Sequence, residues 1–211
     1  MKKALFLLAA VLLVACSSSN GPENNPEFNS AYFPASDGDT WYYTKWESEK
    51  IVREIDGDTA VNGVNCIRVL ENGSTSEAWR IVEDGDSAGF YVHMLTYGFE
   101  SDTIRPYFDP PLRIPLNMNV GEEYDYASDA FYEQGGTAYT FSITGTLVFE
   151  GFVDKTVPAG SFGDVARIHY YDIDENSDTT QYYEYYAPGV GLLDNEIYVL
   201  DSAFIDRVWI R

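Results

Sequence analysis

The sequence predicts an all-β chain: a single, mostly antiparallel sheet of about ten or more strands, curled into a half-barrel or folded as a sandwich. Three observations predict it. Aromatic residues make up 16% of the chain, 17 of them Tyr, and flat rings pack well on a pleated surface. Apolar and polar residues alternate along many short runs. The run over 138–149 places Tyr139, Phe141 and Ile143 on one face and Thr140, Ser142 and Thr144 on the other. Turn chemistry such as Asn62-Gly63 separates the runs, and no amphipathic stretch reaches three helical turns.

The 211 residues suffice for one domain with a sizeable core. With 45% hydrophobic and 22% charged residues the composition is that of a globular chain. The formal net charge is −21, from 34 acidic against 13 basic residues. Such a surface repels phosphate backbones, which excludes nucleic acid as a partner, and it favours solubility.

In chain order, residues 1–15 read as a signal peptide. Lys2 and Lys3 form a basic start, and the apolar run over 4–14 is too short to span a bilayer. The run ends Leu13-Val14-Ala15-Cys16, which resembles the lipobox of bacterial lipoproteins, with a small residue before the cut and a thiol after it. That resemblance implies acylation of Cys16. Several acyl chains, at ~0.8 kcal/mol per buried methylene, give durable anchoring. Ser17 is not Asp, which by resemblance to Gram-negative lipoproteins implies sorting to the outer membrane. Residues 16–30 read as the lipidated Cys and a polar, flexible tether, leaving 31–211 as the domain. With Cys16 in the anchor, Cys66 has no disulfide partner and reads as a buried, inert thiol in a strand.

Residues 40–47 read as a strand with aromatics on both faces, 51–55 as a second, and Asp56-Gly57-Asp58 as a turn. Residues 59–61 and 64–70 form a tight hairpin around Asn62-Gly63. Residues 78–82 and 89–95 pair across Glu83-Asp84-Gly85-Asp86. The stretch 101–119 carries Pro106, Pro110, Pro111 and Pro115 and reads as a loop or edge segment. A strand follows near 120–126, with one helical turn at 128–133. Further strands follow at 138–149, 151–157, 164–174 and 180–186, and strands at 196–200 and 204–210 close the sheet.

Signatures of catalysis are missing from this pattern. His93 and His169 read as half-buried strand residues, His169 sharing a face with Arg167 and Tyr171. Ser161 lacks the Gly-x-Ser-x-Gly setting, and two separate His with one thiol have no zinc spacing. We therefore expect no catalytic residue, no cofactor and no metal. Asp172-x-Asp174-x-Asn176-x-Asp178 resembles the opening of a calcium loop. Ser177 replaces the Gly and Tyr183 the final Glu, so the stretch reads as a solvated hairpin loop.

The remaining candidates are aromatic: Trp41, Tyr43 and Trp46 on the first strand, and Tyr182, Tyr183 and Tyr185 on a later one. Rings on both faces mean burial on both sides or one face presented to a ligand. A hollow would suit apolar tails, and an exposed rail would suit sugar rings.

The ordered set Tyr32-Phe33-Pro34, Asp39-Thr40-Trp41-Tyr42-Tyr43, Val157-Pro158-Ala159-Gly160-Ser161-Phe162 and Tyr185-Tyr186-Ala187-Pro188-Gly189-Val190-Gly191-Leu192 resembles a group of uncharacterised bacterial lipoproteins. These share a broad fold with the lipoprotein-localisation carriers. The resemblance implies an incomplete barrel around an apolar hollow and transfers no catalytic residue. The resulting expectation is a non-enzymatic outer-membrane lipoprotein, held to the membrane by its lipid anchor, that binds a hydrophobic or extended ligand. The alternative is a structural or assembly partner in an envelope protein complex.

Overall fold

The structure, a computed structural model, describes residues 26–46, 48–99, 102–173 and 179–211. The signal peptide, Cys16, and Asp174, Asn176 and Asp178 of the calcium-like stretch lie outside the described residues.

The strands are β1 (Thr40–Lys45), β2 (Glu49–Val61), β3 (Val64–Glu71), β4 (Ser74–Val82), β5 (Gly89–Leu95), β6 (Tyr97–Phe99), β7 (Asp102–Ile104) and β8 (Tyr107–Pro115). They continue as β9 (Glu123–Gln134), β10 (Thr137–Val157), β11 (Gly160–Ile173), β12 (Thr179–Ala187), β13 (Gly191–Asp194), β14 (Tyr198–Ile205) and β15 (Val208–Ile210). A short 3-10 turn at Ser30–Tyr32 precedes them. Each strand pairs antiparallel with the next, except that β6 and β7 form a separate hairpin between β5 and β8.

β14 then returns to β1, with Thr40 opposite Phe204 and Tyr43 opposite Leu200. This closes a barrel of twelve strands, with β15 paired to β14. The half-barrel or sandwich expected from sequence is thereby corrected. Closure removes most of the sheet edge, leaving β15 and the part of β8 beyond Asp109 with one neighbour each. It rests on a pairing between the two ends of the domain, which no local alternation can reveal.

Turn residues set most of the joints. Asn62 and Gly63 both have positive φ, 49° and 79°, as a two-residue hairpin turn requires. Asn72-Gly73 repeats the same angles between β3 and β4, so β4 starts at Ser74 and not near residue 78. Asp56-Gly57-Asp58 is a bulge inside β2 and not a turn, since the pairing with β3 shifts between Ile55 and Asp58. A second bulge at Gly151 lets 138–149 and 151–157 run on as one strand of 21 residues.

The helical turn expected at 128–133 is instead part of β9, whose Ser128 and Ala130 are buried while Ala127 and Asp129 are exposed. The Pro-rich stretch contains β7 and β8. Pro110 and Pro111 sit where β8 has left β9, whose pairing with it covers only Tyr107–Asp109.

One end of the barrel, called here the near end, receives the start of the described chain. Phe28 is buried, stacks on Phe149 at 5.2 Å and lends its carbonyl to the Asn117 N–H. Phe33 stacks on Phe90 at 4.4 Å. Phe28 and Ser30, expected within the tether, therefore pack with the barrel, Ser30 through its hydroxyl to Glu83.

The lumen behind this plug is filled. Tyr43, Ile51, Leu147, Phe149, Ile168, Leu193 and Leu200 each expose at most 2% of their surface, so no water-sized void borders them.

Candidate functional site

Strand alternation divides the aromatic and charged residues into a lumen set and an outer set. Trp41 and Tyr43 point inward from β1. The Trp41 indole Nε1 donates to the Val190 carbonyl at 2.6 Å, and the Tyr43 hydroxyl donates to the Leu192 carbonyl at 2.9 Å. Both therefore brace the β12–β13 connection. Tyr182 also faces inward, stacked on Tyr170 at 4.8 Å.

The lumen becomes polar away from the near end. Arg53 pairs with Glu77, both largely buried. Burial opposes the Arg53 charge, and Glu77 beside it outweighs burial and keeps the guanidinium protonated. Lys45 lies 3.5 Å from Glu71, which also accepts the Tyr198 hydroxyl at 2.9 Å. Glu184 accepts the Tyr186 hydroxyl at 2.7 Å, and burial raises its carboxyl above the ordinary range.

Asp172 accepts the Tyr126 hydroxyl and is pushed up to about 6. Burial is the main cause and the Glu184 charge adds to it, while a Tyr182 hydrogen bond works the other way. The one described member of the calcium-like stretch is thus engaged with tyrosines. Among the described residues no group of three His, Cys, Asp or Glu converges as a metal set. The acids and phenols partner one another, an arrangement that fixes strand register.

The outer set lies on β11 and β12. His169 sits between two tyrosine rings, with centroids 4.1 Å from Tyr171 and 4.1 Å from Tyr183, and Tyr185 continues the row 6.3 Å beyond Tyr183. Charged groups pin the row. Glu150 reaches Arg167 at 2.7 Å and His169 Nδ1 at 3.2 Å. Lys155 Nζ lies 3.8 Å from the Tyr185 ring centroid and 2.6 Å from Asp194. The three tyrosine rings are half-buried and held in place by these neighbours, and His169 is buried between two of them.

The six aromatic residues singled out from sequence therefore do not form one site. Trp41, Tyr43 and Tyr182 are internal, and Tyr183 and Tyr185 are external. Trp46 is 63% exposed at the opposite, far end, with Lys45 Nζ 4.6 Å from its ring centroid. Sequence alternation shows that Arg167, His169 and Tyr171 share a face. It does not show that His169 lies opposite Tyr183, which is what assembles the row. Glu150 and Lys155 carry no sequence signal for the site.

The motif set behind the family resemblance meets at the near end. The Tyr32 hydroxyl donates to the Asp164 carbonyl at 2.8 Å, and the Gly189 N–H donates to the Ala31 carbonyl at 2.7 Å. A Cβ on Gly191 (φ +90°) would touch Pro34 and Trp41. These motifs build the cap of the barrel.

No family model matches the chain, and no curated protein matches it. Two solved structures are similar. One is a candidate lipoprotein from Parabacteroides distasonis ATCC 8503, with TM-score 0.48 and 15% identity, over 82% of this chain and 97% of that one. The other is a candidate exported protein with a YmcC-like fold from Bacteroides fragilis NCTC 9343, with TM-score 0.44 and 15% identity, over 84% and 99%.

Proposed function

We propose that the chain is a non-enzymatic lipoprotein of the cell envelope, anchored in the outer membrane through acylated Cys16. Its barrel is a rigid platform that binds an extended, sugar-type ligand along the outer row of Tyr171, His169, Tyr183 and Tyr185. The observation that carries this reading is the contrast between lumen and wall. The lumen is packed around Tyr43, Phe149 and Leu200 and carries the Arg53–Glu77 and Lys45–Glu71 pairs beyond them, which disfavours the apolar hollow implied by the family resemblance. The wall offers a pre-oriented ring row flanked by Arg167, Lys155, Glu150 and Asp194, groups able to hydrogen-bond hydroxyls.

The test is affinity electrophoresis of the full chain through gels containing envelope polysaccharide. Binding should retard the wild type. Retardation should be lost in Tyr183→Ala and Tyr185→Ala, with unchanged thermal unfolding. Undiminished retardation in both variants would contradict the reading.

A second reading, an assembly partner in an envelope complex, has its own observation. The ribbon of β9 and β10 carries Tyr132 stacked on Tyr139 at 5.2 Å, with Tyr139 44% exposed. Cross-linking to an envelope protein that is lost on Tyr139→Ser would favour it.

A further inference from the structure

We propose that the barrel rests on the membrane by its near end, through a patch of Tyr42, Phe204 and Trp209 edged by Arg207 and Arg211, and that what covers this patch is a phospholipid bilayer surface. The inference takes its geometry from the Cys16 anchor proposed above and adds an orientation to it.

The patch lies on the outer face where β14 turns into β15. Trp209 is 48% exposed and lies opposite Phe204. The Trp209 ring lies 5.7 Å from Tyr42 and 5.2 Å from Phe204, and the Arg211 guanidinium lies 4.6 Å from the Trp209 ring centroid. The exposed Trp209 ring is continuous with the half-buried Tyr42 and Phe204 rings, and a contiguous apolar surface of this kind marks a place that something covers. Trp and Tyr settle at the headgroup level of bilayers, where the ring is shielded and its polar atom stays wet.

Two observations indicate a bilayer. The first is where the chain outside the described residues ends. Ser36, just after the plug, donates through Oγ to Asp206 at 3.1 Å, and the Asp206 N–H donates to Asp39 at 3.0 Å. The β14–β15 turn therefore sits at the end of the barrel where the tether arrives. The chain from Cys16 to Pro26 spans at most about 35 Å, whatever its conformation. An acylated Cys16 would thus hold this end of the barrel near the bilayer.

The second observation is charge. Arg207 and Arg211 edge the patch of a chain whose net charge is −21, and both are exposed. Asp37 and Asp206 lie at the same end, which disfavours strongly anionic lipid. The patch fits a phosphatidylethanolamine-rich surface entered by rings. The exposed Trp46 lies at the far end, beside the Ile197 carbonyl that accepts its N–H, and supplies an internal contrast.

The barrel closes within residues 26–211, so the chain from Cys16 onward carries the whole fold. That chain with Cys66→Ser would be coupled through the Cys16 thiol to a maleimide lipid. The vesicles would hold phosphatidylethanolamine and phosphatidylglycerol at about four to one, with brominated acyl chains as quencher. Trp41 and Trp79 are buried, so the Trp46→Phe and Trp209→Phe variants separate the two exposed indoles.

We expect bromolipid to quench the wild type and Trp46→Phe, and the quenching to be lost in Trp209→Phe. Equal quenching of the two variants, or none in either, overturns the proposal. So does a solution dimer abolished by Trp209→Ser, which would assign the patch to a second copy. Chemical coupling makes this result independent of acylation in cells. Palmitate labelling of the full chain, lost in Cys16→Ser, tests the anchor separately.

Discussion

Arg53 and Glu77 form the most consequential single contact of the lumen, because each is largely buried and opposes the other. Removing one partner strands the other charge. Arg53→Met should cost about 3–5 kcal/mol in urea unfolding, and Arg53→Met with Glu77→Leu should recover most of it. An unchanged midpoint for the single variant would show the pair to be solvated. Asp172 gives a pH signature. Its carboxyl titrates near 6 in the folded chain against 3.8 for the ordinary group, so the folded state holds a proton that the unfolded state releases. Its contribution to stability is present below about pH 4 and is lost as pH rises through 6. Asp172→Asn should therefore flatten that slope and raise stability at pH 7. A steeper loss in the variant would reverse the assigned sign. Neither effect was legible in the sequence. Thirty-four acids make each one anonymous until register places Glu184 and Tyr182 beside Asp172.

At the scale of elements, much was legible where a turn has its own chemistry. Asn62-Gly63 behaves as its residues require, and the strands expected over 40–47 and 180–186 are found at Thr40–Lys45 and Thr179–Ala187. The errors share one physical cause. A Gly with positive φ serves a turn and a bulge equally well, so Gly57 and Gly151 read as breaks in strands that they only bend. The Pro-rich stretch, expected as a loop or edge segment, carries β8, and its Pro110 and Pro111 stand where that strand has no bond to β9. The plug was missed because Phe28 is a lone aromatic in a polar run. Phe28→Ala should lower stability by about 3–5 kcal/mol, the usual cost of removing a buried ring. Differential scanning calorimetry checks this, and an unaltered Tm would return residue 28 to the tether.

At the scale of the molecule, the fold class was legible and the closure was not. Alternation and ring content reveal strands. They are silent on whether β14 finds β1, and on how far the lumen is filled once it does. Closure changes the functional expectation. An open half-barrel offers a hollow, whereas a closed and filled one offers its ends and its outer wall. The motifs behind the family resemblance build the near-end cap, so they bear on architecture. With Tyr43, Phe149 and Leu200 packed across it, the lumen leaves no place for a carried apolar molecule. Native mass spectrometry of the protein purified from cells, before and after organic extraction, tests it most directly. We predict the same mass, that of the bare chain with any covalent acyl groups, in both spectra. A stoichiometric apolar adduct released by extraction would contradict the account and restore the carrier reading.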